Sequence, residues 1–370
     1  MKLASLHLAG FKSFASAPTA EAEEGVDLGA VTVLLGANGA GKSNLVSFFR
    51  MLGYLTTGAL QRYIGEAGTA ETLLHYGSGV TEQIDAELTF EGSGTRDVYK
   101  MALAAAQPDT LVFATEAVLS QRAGQADTIH RALGSGHRES LLEQAAQQGE
   151  QACEVVLRLL RGCRVYQFHD TSDEAKIRKS GYVEDAAVLR GNGGNLAAYL
   201  HALRQTHAAH YDRIVRTIRQ VCPQLGDFVL EPSARNDKYI LLNWRDAHGP
   251  DYLMGPHQLS DGTLRFMALT TLLLQPRERL PPVIVLDEPE LGLHPSAISV
   301  LADMVRGVTP HAQVIMATQS PTLVSHFPLE QIRPIEYRDG RSTFLELNAA
   351  EYESWLEDYT TGADDLPVSG

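Results

Sequence analysis

The stretch that most restricts the fold is VTVLLGANGAGKSN, residues 31–44. A short, mostly apolar run, suited to a buried strand, ends in Gly36, and Gly36, Gly41, Lys42 and Ser43 complete the pattern GxxxxGK[ST]. The residues that follow, LVSFFRMLGYL, have helical periodicity. A strand, a glycine loop and a helix N-terminus in that order form an anion cradle. The glycines let successive backbone N–H groups curl round phosphate, and the helix adds its positive end. Lys42 is expected to reach the β- and γ-phosphates of a nucleotide, and the Ser43 hydroxyl to ligate Mg²⁺. Ala37, Asn38, Gly39 and Ala40 complete the cradle. Asn38 and Asn44 have a weaker claim, since loop or cap chemistry accounts for either.

A second acidic strand end complements the loop. PVIVLDEPELGLHP, residues 282–295, carries Asp287 and Glu288 to the C-terminal end of an apolar strand, where open α/β sheets place ligands. Asp287 suits a hard cation such as Mg²⁺, usually held through a water. Glu288 is placed to act as general base toward the water that attacks a γ-phosphate. About 20 residues upstream lies QLSDGTLRF, residues 258–266, a Ser-Asp-Gly start to another helix. It offers either a second anion site or a plain Ser/Asp N-cap.

Composition narrows the class. The chain has 370 residues, 44% hydrophobic and 21% charged, which describes an ordinary globular protein of two domains or one with a large insertion. No apolar run is long enough to span a bilayer, and MKLASLHLAGFKSF has no signal-peptide core, so a cytoplasmic protein without a membrane partner is expected. The three cysteines form no close pair, which argues against a zinc site or a disulfide framework. A formal net charge of −14 does not support nonspecific DNA contact by the surface as a whole.

Strand patterns are expected at 84–90, 96–103 and 110–118, a loop or mobile lid at 119–138, a helix at 139–161 and a strand at 163–168. One or two helices follow at 193–223, then strands at 227–231 and 238–244. From 261 the order is helix, strand 283–287, helix from 296, strand 312–317, a helix near 321–326, two strands, and a short helix around Trp355 before a polar tail. Alternating strands and helices at both ends imply a mainly parallel sheet with crossover helices. The expected division is 1–90, an α+β lid insertion at 91–250, 251–348 and 349–370. Asn195 reads as a turn and helix cap.

Leu259, Ser260 and Gly262 resemble the LSGGQ signature of ABC-type ATPases, and LDEPELGLHP resembles their LDEPTSALDP. LHLAGFKSF, DEPELGLHP and ATQSP are similar to the subgroup containing RecF and the ATPase domain of OLD-type nucleases. The resemblance covers nearly the whole chain. It implies an α/β P-loop NTPase of the ABC/RecF/SMC-head type, with a mixed sheet and a central lid. It further implies an ATPase, with ATP and Mg²⁺ as cofactors, working as a head-to-tail homodimer or a higher oligomer built from it. In such a dimer Ser260 and Gly262 would reach the γ-phosphate held by the other molecule. Asp261 and Thr263 depart from the signature, and Asp261 is expected to point away or to cap the helix. Gln319 stands where many relatives place a γ-phosphate histidine. His294 stands at the position of an interfacial aspartate, or serves as a cap before Pro295. Lys12, Ser13 and Phe14 fall near the base or ribose. No fused nuclease block follows residue 350, so a separately encoded nuclease or other effector is the implied partner, in DNA maintenance or anti-phage defence. Two other classes fit less well: a transporter's ATPase subunit and a slow nucleotide-dependent scaffold.

Overall fold

The structure is a computed structural model describing residues 1–16, 25–124, 128–249, 252–346 and 348–362; the expected polar tail beyond 362 lies outside them. The chain divides into two compact units, residues 1–164 with 317–370, and residues 165–316. The expected 91–250 insertion is thus shared between them. No helix among the described residues is long and apolar enough to cross a membrane.

The first unit opens with β1 (Lys2–Ala9), β2 (Gly25–Asp27) and β3 (Val31–Leu35), then α1 (Lys42–Leu55), α2 (Leu60–Glu66) and α3 (Ala70–Leu73). Leu45, Val46, Phe48, Phe49, Leu52 and Leu55 recur at helical spacing and are buried along α1. Phe48 meets Phe11 edge-on, with ring centroids 5.8 Å apart, and Phe48→Ala is expected to cost about 3–5 kcal/mol. An antiparallel meander follows: β4 (Gln83–Gly92), β5 (Thr95–Ala106), β6 (Thr110–Arg122) and β7 (Ile129–Gly134), then α4 (Leu142–Gln147) and α5 (Gln151–Arg161). The sheet order is β2-β1-β4-β5-β6-β7.

Two expectations fail here for physical reasons. Most of the described residues of 119–138 are strand and not loop, because β6 continues to Arg122 and β7 pairs with it from Ser120↔Ile129 to Glu116↔Gly134. β7 is an edge strand with almost every side chain in solvent, so its backbone pairs while its sequence has no buried alternation to reveal it. The helix expected over 139–161 is two helices, separated at Gly149, whose φ of 91° no continuous helix accommodates. Glu116 on β6 ties this region together. Its buried carboxylate accepts from Tyr99 Oη at 2.6 Å, His137 Nε2 at 2.9 Å, the Leu141 amide at 3.0 Å and the Ser140 hydroxyl. A buried charge persists only when ligated in this way.

The second unit begins within β8 (Cys163–Tyr166) and continues through β9 (Gly181–Tyr182), α6 (Leu196–Thr206), α7 (Ala208–Val221), β10 (Leu225–Val229), β11 (Tyr239–Ile240), β12 (Asn243–Asp246) and β13 (Leu253–Met254). The single strand expected at 238–244 is therefore two, pairing with different partners: β11 with β9, and β12 with β10 and β13. α8 (Asp261–Leu274) is buried on nearly every side from Phe266 to Leu274, as a central core helix must be. β14 (Val283–Asp287) has every residue buried and lies between β8 and the next strand, which follows α9 (Pro295–Val308).

That strand, β15 (Gln313–Thr318), leads back into the first unit through α10 (Pro321–Val324), β16 (Ile332–Arg338), β17 (Arg341–Phe344) and α11 (Ala349–Gly362). β16 runs parallel to β3 and antiparallel to β17, so the sheet there is mixed.

Candidate functional site

In the first unit β3 delivers Gly36 into a loop that ends at α1. Gly39 and Gly41 have φ of 83° and 107°, open to glycine and strained for other residues. A Cβ on Gly36 would overlap the Ile335 carbonyl, and one on Gly41 would overlap the Ser342 hydroxyl. Ala37, Asn38 and Gly39 are exposed and Ala40 is buried. Lys42 is 4% exposed and folds back across its own loop, donating from Nζ to Gly36 O at 2.6 Å and Ala37 O at 2.9 Å. Ser43, one residue into α1, is exposed.

The FKSF segment braces this loop. Ser13 Oγ accepts from Asn44 Nδ2 and from Ser342 Oγ, both at 2.7 Å, and Ser342 Oγ also reaches Ala40 O at 2.7 Å. Asn44 is therefore tied to the brace. Lys12 points at α1 and donates to Ser47 Oγ at 2.7 Å. Burial, then the nearby Arg50 charge, holds its ammonium below the usual lysine range. Phe14 is buried against Phe344, 5.9 Å between centroids, so the structure removes it from the residues open to a base. Gln319 follows β15 and is half-buried. Its carbonyl accepts from Tyr359 Oη at 2.9 Å.

In the second unit β14 ends in a buried Asp287 and a half-buried Glu288. Glu288 has φ of 40°, rare for a residue with a side chain and a form of strain concentrated at functional sites. Asp287 Oδ2 accepts from Gln167 Nε2, and its main-chain carbonyl accepts from His169 Nε2 at 2.7 Å. Its Oδ1 is buried with no hydrogen-bond partner among the described residues. A buried carboxylate oxygen without a donor is costly, and a divalent cation is the ligand that satisfies it. The residues present therefore fit Mg²⁺. Gln167 is a residue that sequence reasoning missed; it directly follows β8, and that strand-end position was the available signal.

The Ser-Asp-Gly turn is built with equal care. Ser260 caps α8, its Oγ accepting from the Thr263 amide at 3.2 Å. Gly262 has a packing reason within its own chain, because a Cβ there would overlap the Gly292 carbonyl. Asp261 points away from the turn, to Arg178 Nη2 at 2.7 Å. The Arg178 guanidinium holds the Asp261 carboxyl below the usual carboxylate range. Arg178 is 5% exposed and donates besides to Thr171 O at 2.6 Å, Leu259 O at 3.2 Å and Pro256 O. Arg265 on α8 donates to Phe168 O at 3.1 Å, His169 O at 2.7 Å and Leu291 O at 3.1 Å, linking the helix to both segments that flank Asp287. His294 is exposed and caps α9, its Nδ1 accepting from the Ser296 amide at 3.3 Å. Asn195 is buried and binds three backbone groups of residues 185–190 at 2.8 Å, so its work is structural.

Residues 172–325 match the family described as AAA domain, putative AbiEii toxin, Type IV TA system. The structure of an SMC head bound to the C-winged helix domain of ScpA is similar at TM-score 0.60 and 16% identity, over 96% of this chain and 100% of that one. The SMC head domain from Thermotoga maritima is matched at TM-score 0.48 and 16% identity, over 94% of this chain and 100% of that one. The chain thus has the α/β fold of the SMC-head class. Within that class it is similar, from residue 172 to 325, to the AAA domains named with the AbiEii family.

Proposed function

We propose that this protein binds and hydrolyses ATP with Mg²⁺ and uses the nucleotide to close a head-to-tail homodimer. The observation that carries the reading is the buried Oδ1 of Asp287, without a donor among the described residues, beside a strained Glu288, in a chain whose P-loop lysine rests on its own loop carbonyls. The resemblance assigns a cation-binding role to Asp287 and to Ser43, and a bound cation would neutralise charge on the phosphates. Lys42 moves from the carbonyls of Gly36 and Ala37 to the phosphates, exchanging neutral acceptors for anionic ones. Glu288 takes the proton of the attacking water. Gln167 and Gln319 orient that water or the γ-phosphate as neutral amides able both to donate and to accept. Ser260, Gly262 and His294 serve the seam between molecules, Ser260 and Gly262 toward the partner's γ-phosphate. Lys12 and Asn44 stiffen the loop from behind.

The dimer acts as a switch for a separately encoded effector, in DNA maintenance or defence against foreign DNA. The RecF/OLD resemblance supports this role, as does the complex that one structural neighbour forms with a domain of ScpA. Glu288→Gln tests the core of the reading. The variant keeps shape and hydrogen bonding and loses the base, so MgATP should bind, remain uncleaved, and trap a dimer visible by light scattering. Turnover equal to the parent's would refute it.

A further inference from the structure

The helix α11 brings a tyrosine to the phosphate loop. Tyr352, Trp355 and Tyr359 recur at spacings of three and four and so share one helix face. Their rings form a ladder: Tyr352 and Trp355 are 6.3 Å apart at 23°, and Trp355 and Tyr359 are 5.1 Å apart at 15°. Trp355 Nε1 donates to Glu336 Oε1 at 2.5 Å, which pins the ladder to β16, the strand paired with β3. At its end the Tyr359 hydroxyl meets two carbonyls, Gln319 O at 2.9 Å and Gly36 O at 3.2 Å. A phenol has one proton, so this is a three-centre bond joining the two main chains.

We propose that Tyr359 is a positioning residue of the ATP site, clasping the first residue of the phosphate loop to the residue that reads the γ-phosphate. The proposal rests on the ATPase reading above. Gly36 O accepts from both Lys42 Nζ and Tyr359 Oη. When Lys42 turns to a phosphate, Gly36 O loses its cationic donor, and a buried carbonyl without a donor drives the backbone to rearrange. Tyr359 remains on it, so the loop keeps its shape as the lysine leaves. The same hydroxyl fixes the carbonyl of Gln319, which leaves that side chain only its own rotamers in which to err. Both effects concern where groups stand during hydrolysis, and neither adds a contact to the bound nucleotide. The consequence is a dependence of kcat on Tyr359 with little change in KM.

The test is Tyr359→Phe in the full chain, which keeps the ring and its stack on Trp355 and removes only the hydroxyl. MgATP turnover should fall about three- to tenfold, the range of one neutral hydrogen bond, while KM and the ADP Kd move by less than about twofold. Combining it with Gln319→Ala should give less than the product of the two separate losses, because the share that acts through Gln319 has no side chain left to position while the share through Gly36 remains. A purely structural tyrosine would lower the thermal midpoint and multiply its loss with that of Gln319→Ala. That multiplication, or a kcat within roughly 1.5-fold of the parent, overturns the proposal. If the parent itself shows no MgATP turnover that Lys42→Ala abolishes, the ATPase reading falls and the proposal with it. A parent that is active beside a silent Tyr359→Phe removes the proposal alone.

Discussion

Arg178→Met separates two explanations of the loop before α8. The guanidinium has an exposed carboxylate partner, Asp261, whose side chain is 60% exposed, and three backbone carbonyls from Thr171, Pro256 and Leu259. Replacing a whole buried ion pair by apolar groups is often neutral, but here the carbonyls stay behind. Each buried carbonyl left without its donor costs about 1–3 kcal/mol, so the three together should cost at least about 3 kcal/mol. Asp261 returns to water and adds little. For a unit of roughly 150 residues this lowers the midpoint by about 10 °C. Asp261→Asn removes only the solvent-screened charge and should cost under about 1 kcal/mol. The pH dependence has a definite sign. The folded Asp261 carboxyl titrates below its unfolded value, so its contribution is present above about pH 4 and is lost as pH falls through the lowered pKa. The difference between the parent and Asp261→Asn should therefore shrink in acid, and that between the parent and Arg178→Met should persist. Thermal and urea unfolding followed by circular dichroism, with hydrogen exchange at 256–264, would read these values. An Arg178→Met loss below about 1 kcal/mol, or one equal to that of Asp261→Asn, would show that the carbonyls do not matter.

Lys42→Ala and Ser260→Arg should each abolish turnover, yet mixing them should restore roughly a quarter of parental activity, because half of the dimers are mixed and half of their sites intact. No recovery above the sum of the separate variants would remove Ser260 and Gly262 from the partner's site. Burial pushes the Cys163 thiol up to about 12 and raises those of Cys153 and Cys222. The native chain should thus resist a disulfide reagent at pH 8, with three thiols reacting only after denaturation. Rapid labelling of the native chain would contradict the burial.

Local pattern carried much of this protein. Residues 31–44 and 283–288 are legible as candidates because each joins a buried strand to the proposed site residues at its end within a few residues, and side-chain type, backbone freedom and helix dipole all act at that range. Ser260 as a cap and the cap at His294 are legible for the same reason. Tertiary structure alone decided the rest. Asp261 as an acid neutralised by Arg178 depends on a contact 83 residues apart in sequence, and Gln167 on Asp287 on one of 120. Gly262 looks like a glycine spared for phosphate, yet only packing reveals that the Gly292 carbonyl occupies the space of its Cβ. β7 escaped notice because an edge strand is held by backbone hydrogen bonds that any sequence supplies, without burying the side chains that would announce it. Tyr359 is an aromatic in a polar helix until the last turn of α11 brings its hydroxyl to Gly36, 323 residues away, where one proton joins two carbonyls that no local pattern associates.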